Sequence, residues 1–252
     1  MFSFLRRGRS AESGRPRPVL GWDLHCHLLP GMDDGVRTKE EAIEAVRALQ
    51  RAGYRGSVLT PHVYKGLYDN SREGLLDAVA ALRATLADAG IEHPVHLAAE
   101  YFADETLAER VGREPLLSFG PKERPHVLIE FPYMSEPLLW ADALGALVRG
   151  GYQPVIAHPE RYRFVAQQLE LWLERFGAYG AVYQSNVGAL VGQYGPEAQA
   201  TARALLERDV PTFWGSDLHR PSQVDRFILP GLSHLGGLGV LNPQLAGWHD
   251  GG

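Results

Sequence analysis

The sequence predicts a single α/β barrel, a (β/α)7 arrangement of parallel strands, on three observations. Its 252 residues suit an α/β barrel, a class that spends about 250 residues on one domain, with two smaller domains as the alternative. Short apolar runs alternate with amphipathic stretches, and strand–helix–strand alternation implies parallel strands joined by right-handed crossovers. Almost every apolar run ends in a residue type that ligates metals, and a parallel barrel gathers such ends on one face.

The first strand is expected at residues 19–24. Thr38 and Glu41 then form a capping-box pattern, and Ala42, Val46 and Leu49 recur at helical spacing up to Gly53. A second strand follows at 56–60. Ser71 caps a helix whose stripe is Leu75, Val79, Leu82 and Leu86, closed by Gly90 as a C′ residue. Strands at 95–99 and 127–129 precede a helix at 135–149. Strands at 154–157 and 181–183, a helix at 196–208 and a strand at 210–214 complete a set of seven strands, close to a barrel count.

Composition removes several function classes. Lys+Arg 25 against Asp+Glu 30 gives a net charge of -5, so no global field gathers nucleic acid or an anionic membrane, and an anionic substrate looks awkward. Residues 1–18 hold Arg6, Arg7, Arg9, Arg15 and Arg17 against Glu12 alone, a +4 stretch beside a remainder of -9. It is expected to be a flexible basic arm ahead of a barrel domain at 19–252. The arm lacks the apolar stretch of an export signal, and no run approaches the roughly 20 apolar residues of a membrane span, so the protein is expected to be soluble and cytoplasmic. Cys26, the one cysteine, excludes disulfides within the chain and four-cysteine zinc sites. It is no phosphatase nucleophile either, because a C-x5-R loop needs arginine where Met32 stands. The serine-hydrolase pattern G-x-S-x-G is also absent.

The chemistry gathers at the strand ends: His25 and His27, His62, Glu100, Glu130, His158, and Asp217 with His219. His25-Cys26-His27 sets two imidazoles on one side of a strand, and Asp217-Leu218-His219 repeats the spacing. Asp34 lies in the turn-rich loop Pro30-Gly31-Met32-Asp33-Asp34-Gly35 above the first strand. Arg161, three residues after His158, supplies a guanidinium suited to phosphate. Cys26 points to the face opposite the two histidines and packs. His93, His96, His126, His234 and His249 are left out; His96 shares parity with Glu100, which leaves a place lower in the barrel as an alternative, but a hydrogen-bonded core histidine is the favoured reading. Five histidines and four carboxylates exceed one tetrahedral ion, so two or three metals are expected, with manganese, iron or zinc suiting the mixed donors. Three divalent ions would set +6 against -4, a field suited to a phosphate dianion. Such ions lower the pKa of water to about 7, supply hydroxide and hold phosphate oxygens, so hydrolysis of a phosphomonoester follows.

At this point the chain resembles the polymerase and histidinol phosphatase (PHP) superfamily, specifically the bacterial manganese-dependent tyrosine-protein phosphatases of capsule and exopolysaccharide operons. The motifs are DLHCHLLPGMDDG at residues 23–35, TPH at 60–62, AAEY at 98–101, LIEFP at 128–132, HPERY at 158–162 and GSDLH at 215–219. The resemblance implies a distorted TIM-like seven-stranded barrel with three divalent metal ions. His25, His27, Glu100 and Asp217 would surround the first, Glu100, Glu130 and His158 the second, and Asp34, His62 and His219 the third. It also implies that Arg161 binds phosphate and that a second arginine is Arg220 or Arg226. The implied substrate is phosphotyrosine on the tail of a bacterial tyrosine kinase; oligomers are possible. Tyrosine leaves with a pKa near 10, so only modest acid assistance is needed, with His62 or Asp34 as the source. Direct attack on phosphorus, without a phosphoenzyme, is expected.

Three other readings compete. A PHP-type histidinol-phosphate phosphatase would use the same metals, although resemblance to that type implies histidine where Glu130 stands. An amidohydrolase relies on a carbamylated lysine at a strand end, and Lys39, Lys65 and Lys122 follow no strand. A non-enzymatic scaffold predicts broken ligands, whereas all nine positions carry competent residues.

Overall fold

The computed structural model describes residues 21–208, 210 and 212–235. The basic arm, the first two residues of the first strand run and His249 lie outside them. The strands are β1 (Asp23–Cys26), β2 (Ser57–Leu59), β3 (His62–Val63), β4 (Val95–Leu97), β5 (Glu100–Phe102), β6 (His126–Glu130), β7 (Gln153–Ala157), β8 (Val182–Asn186) and β9 (Thr212–Gly215). The helices are α1 (Lys39–Arg51), α2 (Arg72–Asp88), α3 (Leu107–Arg113), α4 (Trp140–Arg149), α5 (Arg163–Gln167), α6 (Leu169–Gly177), α7 (Pro196–Glu207) and α8 (Leu229–His234).

Every strand pairing is parallel, in two sheets ordered β1-β2-β4 and β3-β5-β6-β7-β8-β9. Two of the seven expected strands, 56–60 and 95–99, are each followed by a second short strand beyond the expected bounds, β3 and β5. Pro61, which has no N–H for a ladder, separates β2 from β3, and Ala98-Ala99 separate β4 from β5. Hydrogen bonds from Ala98 N–H to Leu59 O (2.8 Å) and from Glu100 N–H to Pro61 O (3.0 Å) carry the pairing over both breaks. The ends of the ring meet where Asp217 N–H donates to His25 O (2.8 Å) and His27 N–H to Leu218 O (3.0 Å), beside a parallel bridge of Cys26 with Leu218. The seven runs thus follow one another around a distorted barrel whose ladder is interrupted.

Local chemistry explains the helix ends. Thr38 Oγ1 accepts from Glu41 N–H, while Glu41 reaches back to Arg37 N–H rather than to the cap residue itself. Ser71 caps α2 through Gly74 N–H, and Gly90 follows the helix with φ +65°, the left-handed conformation a C′ glycine supplies. The helix expected at 135–149 begins at Trp140, because Pro137 disfavours helical backbone at Glu136. Helices α3, α5, α6 and α8 are too short for their periodicity to stand out in sequence. Among the described residues no helix is long and apolar enough to cross a membrane.

Strand alternation sorts the core into two clusters. Leu59, Leu97, Ile129 and Ile156 face the helices, whereas Leu24, Val58, Ala98, Leu128, Val155 and Ala157 fill the lower barrel. A register irregularity in β1 between Asp23 and Cys26 lets Leu24 join the inner cluster and buried Cys26 the outer one. One layer above this apolar floor the inward residues turn polar: Leu128 gives way to Glu130, Ala98 to Glu100, and Val182 to Gln184 and Asn186.

Candidate metal centre

All nine residues singled out at the strand ends and in the first loop occupy that upper layer. Ligand atoms of His27, Asp34, His62 and His219 lie within 4.8 Å of one another, as do those of His25, His27 and Glu100, and those of His62, Glu100 and Glu130. His158 Nε2 stands 2.9 Å from Glu100 Oε1 and 3.6 Å from Glu130 Oε1. Asp217 Oδ1 lies 3.5 Å from His25 Nε2 and 3.4 Å from His27 Nε2. Asp34 and His62 form the open rim, Asp34 being half exposed.

The backbone is bent to aim these groups. His158 (φ +28°) and Asp217 (φ +51°) are the only non-glycine residues with positive φ among the described residues, and both sit just past a strand end. Such conformations persist only where the surroundings enforce them, and they concentrate at functional sites. Two glycines allow close approach. A Cβ on Gly35 would lie 2.2 Å from His27 O, and one on Gly215 would lie 2.7 Å from His25 Cβ.

Hydrogen bonds behind the cluster orient the rings. Asp33 Oδ2 is 2.9 Å from His27 Nδ1; an ionised carboxylate only accepts, so Nδ1 carries a proton and Nε2 faces inward. His219 Nδ1 lies 2.9 Å from the carbonyl oxygen of Asp217, with the same result. The Nε2 atoms of His25 and His27 approach to 3.0 Å, a meeting of acceptors that a cation or a shared proton resolves.

The electrostatics fit a cation. Burial works against the His25 imidazolium, yet Glu100 and Asp217 outweigh it and lift the pKa to about 9. Burial, reinforced by Glu100, pushes the Glu130 carboxyl up to about 8, where the Tyr133 hydroxyl donates to it. Burial also opposes ionisation of Glu100, but His25 and His62 hold it well below the usual carboxylate range. Protons held by His25 and Glu130 at neutral pH occupy positions from which metal ligation releases them. His158 is pushed down to about 4 by burial and by Arg161, which keeps its lone pair available.

Arg161 lies between two rings, its guanidinium carbon 4.5 Å from the Tyr133 centroid and 4.6 Å from that of Tyr194. Its Nη1 donates to Asp217 Oδ2 at 2.9 Å, and a cleft of about 260 Å³ lined by Tyr133, Arg163, Tyr194 and Glu197 opens beside it. Arg220 donates to the carbonyls of Asp34 and Gly35 and so fastens the first loop, whereas Arg226 lies over Phe227. His93 and His126 stand apart from the cluster: His93 pairs with Ser57, and His126 packs on Phe119. The His96 ring packs against Trp22 in a tilted contact, with centroids 5.1 Å apart. Sequence reasoning missed Asp33, Tyr133, Gln184, Asn186 and Tyr194. Asp33 was hidden by its neighbour Asp34, and the pair on β8 because the apolar run was cut at Tyr183, before Gln184-Ser185-Asn186.

Comparison with known proteins gives the chain its relatives. The family described as "Capsular polysaccharide synthesis, CpsB/CapC" matches residues 21–227. The chain belongs to the CpsB/CapC family. Within it, the chain is 34% identical over 197 residues to tyrosine-protein phosphatase YwqE of Bacillus subtilis, covering 78% of this chain and 76% of the relative. It is 27% identical over 197 residues to putative tyrosine-protein phosphatase CapC of Staphylococcus aureus, with the same coverage of 78% and 76%. A solved structure from work on YwqE of Bacillus subtilis and CpsB of Streptococcus pneumoniae, described as metal-dependent tyrosine phosphatases, superposes with a TM-score of 0.75. That match has 30% identity and covers 89% of each chain. An amidohydrolase from Mycoplasma synoviae, 11% identical with a TM-score of 0.51, shares the fold alone.

Proposed function

We propose that this CpsB/CapC chain is a metal-dependent protein-tyrosine phosphatase. The carrying observation is the convergence of nine imidazole and carboxylate ligands beside an arginine held between two tyrosines, in a chain similar to tyrosine phosphatases over most of its length. Our assignment gives His25, His27, Glu100 and Asp217 to one ion, Glu100, Glu130 and His158 to a second, and Asp34, His62 and His219 to a third. Manganese is the metal favoured, with iron and zinc compatible with the donors. Bound divalent ions would lower the pKa of water and neutralise phosphate charge.

The chain's own groups do the rest. Arg161 directs its guanidinium at the phosphate, and the rings of Tyr133 and Tyr194 hold that planar group in orientation. Water attacks phosphorus as the bond to the tyrosine oxygen breaks, giving inorganic phosphate and tyrosine with no phosphoenzyme. His62 and Asp34 line the rim where that oxygen departs. Burial lowers the His62 pKa and the neighbouring His219 lowers that of Asp34, so at neutral pH both stand deprotonated, as ligation requires, and neither carries the proton that acid assistance would need. A phenolate with a pKa near 10 leaves with little assistance.

A protein substrate is favoured over a small ester by the exposed Met134 and Leu138, on the loop that carries Tyr133. Together with the capsular family description, this points to the phosphotyrosine tail of a polysaccharide-export kinase. The test compares a phosphotyrosine peptide with histidinol phosphate before and after chelation and on adding back manganese. Peptide turnover that vanishes on chelation and returns with manganese is expected. Preference for histidinol phosphate, or turnover indifferent to chelation, refutes the proposal.

A further inference from the structure

The end of β8 carries two buried amides, Gln184 and Asn186, to which neither the strand-end pattern nor the ligand set gives a role. We propose that they form a directional relay that fixes the tautomer of His25 and presents one oxygen of Asp217, making both amides positioning residues for the first ion. The proposal rests on the metal site assigned above.

The direction follows from atoms that can only donate or only accept. The backbone N–H of His158 donates to Gln184 Oε1 at 3.3 Å, and the same oxygen lies 2.7 Å from His25 Nδ1. An amide oxygen has no proton, so Nδ1 carries one whatever the charge of the ring, and Nε2, which faces Glu100 and His27, is the nitrogen left for an ion. From the other end, Asp217 Oδ2 only accepts, so Asn186 Nδ2 donates to it at 2.7 Å. Asn186 Oδ1 then faces Gln184 Nε2, which donates at 2.9 Å. Both ends demand one orientation. Turning either amide over would set like groups against each other at two contacts in a place closed to water, where a mispaired polar group is costly.

The surroundings lock the relay. Gln184, Asn186 and Asp217 are all buried, and Glu160 Oε1 accepts the backbone N–H of Asn186 at 2.7 Å. Asp217 Oδ2 also accepts from Tyr194 Oη (3.0 Å) and Arg161 Nη1 (2.9 Å), so three protein donors occupy it and Oδ1 is left for the histidine side. A Cβ on Gly215 would stand 2.9 Å from Gln184 Nε2, so glycine there leaves the amide its place.

The test uses the full chain with zinc as probe, measuring affinity by competition with a chromophoric chelator and stoichiometry by elemental analysis. Thermal unfolding of each metal-free protein serves as the fold control. Gln184→Glu retains an acceptor beside His25 Nδ1 but loses the bond to Asn186 Oδ1, and should lose less than about tenfold in affinity; Gln184→Met loses both and should bind the tightest ion about 10- to 100-fold more weakly. Asn186→Asp sets a second carboxylate against Asp217 Oδ2 and should weaken binding over the same range. Equal affinity in all proteins overturns the relay, as does equal loss in the two Gln184 variants, which would implicate shape alone. If Gln184→Met does not fold, unchanged affinity in Asn186→Asp still overturns it. A wild-type chain that binds no zinc brings down the metal assignment itself, a different result from wild-type binding that the variants leave unaltered.

Discussion

At the scale of single residues, Arg161 shows how much the site asks of one side chain. Its guanidinium lies between the rings of Tyr133 and Tyr194 while Nη1 holds Asp217. Lysine would preserve the charge but not the plane that stacks or the fork that binds two oxygens. Arg161→Lys should therefore lower kcat/KM for a phosphotyrosine peptide about 100-fold, by analogy with losing one preorganised donor to a transition state. Metal content at saturating manganese should not change, because Asn186 and Tyr194 still donate to Asp217 Oδ2. A loss under about threefold would remove Arg161 from the phosphate site. The ligands themselves were legible in sequence because histidine and carboxylate at strand ends announce themselves by type. Asp33, Gln184 and Asn186 were not, since a turn aspartate and two strand amides acquire meaning only from the atom each one faces.

At the scale of elements, the loop between β1 and α1 is tightly constrained. Gly31 N–H donates to Val36 O and Val36 N–H to His27 O, folding the loop back over its own strand. Gly35 lies so close to His27 that a Cβ would stand 2.2 Å from the carbonyl oxygen and 2.5 Å from His27 Cβ. Gly35→Ala must push the loop away from β1, taking Asp33 off His27. It should cost about 1–3 kcal/mol of stability, as overpacking does, and reduce activity more than tenfold. Urea unfolding and peptide turnover measure the two effects; a variant with wild-type values in both would show that the loop yields freely. The order and direction of the strands could be read from alternation, since the seven runs survive as a parallel ring. Their interruptions could not. The break at Pro61 leaves the run legible while dividing its hydrogen bonds between two sheets, and β8 extends beyond its apolar part because its last residues point into a polar interior.

At the scale of the whole molecule, a chain of net charge -5 places buried carboxylates and imidazoles above an apolar floor. Histidines elsewhere in the fold make stability depend on pH independently of that centre. His93 is buried, with Nε2 2.9 Å from Ser57 Oγ and no partner on Nδ1, and burial pushes its pKa down to about 4. The folded protein thus keeps His93 neutral while the unfolded chain takes up a proton near pH 6.5. The stability this provides is complete above pH 6.5 and declines as pH falls towards 4, at up to about 1.4 kcal/mol per pH unit. His93→Gln can keep a donor or acceptor towards Ser57 without the titration. The proposed metal ligands titrate in both proteins and cancel in the difference between them. In urea unfolding of the metal-free proteins, the variant should therefore gain about 1–2 kcal/mol on wild type between pH 7 and pH 5. A difference that stays constant across that interval would mean that His93 is protonated as readily in the fold as outside it.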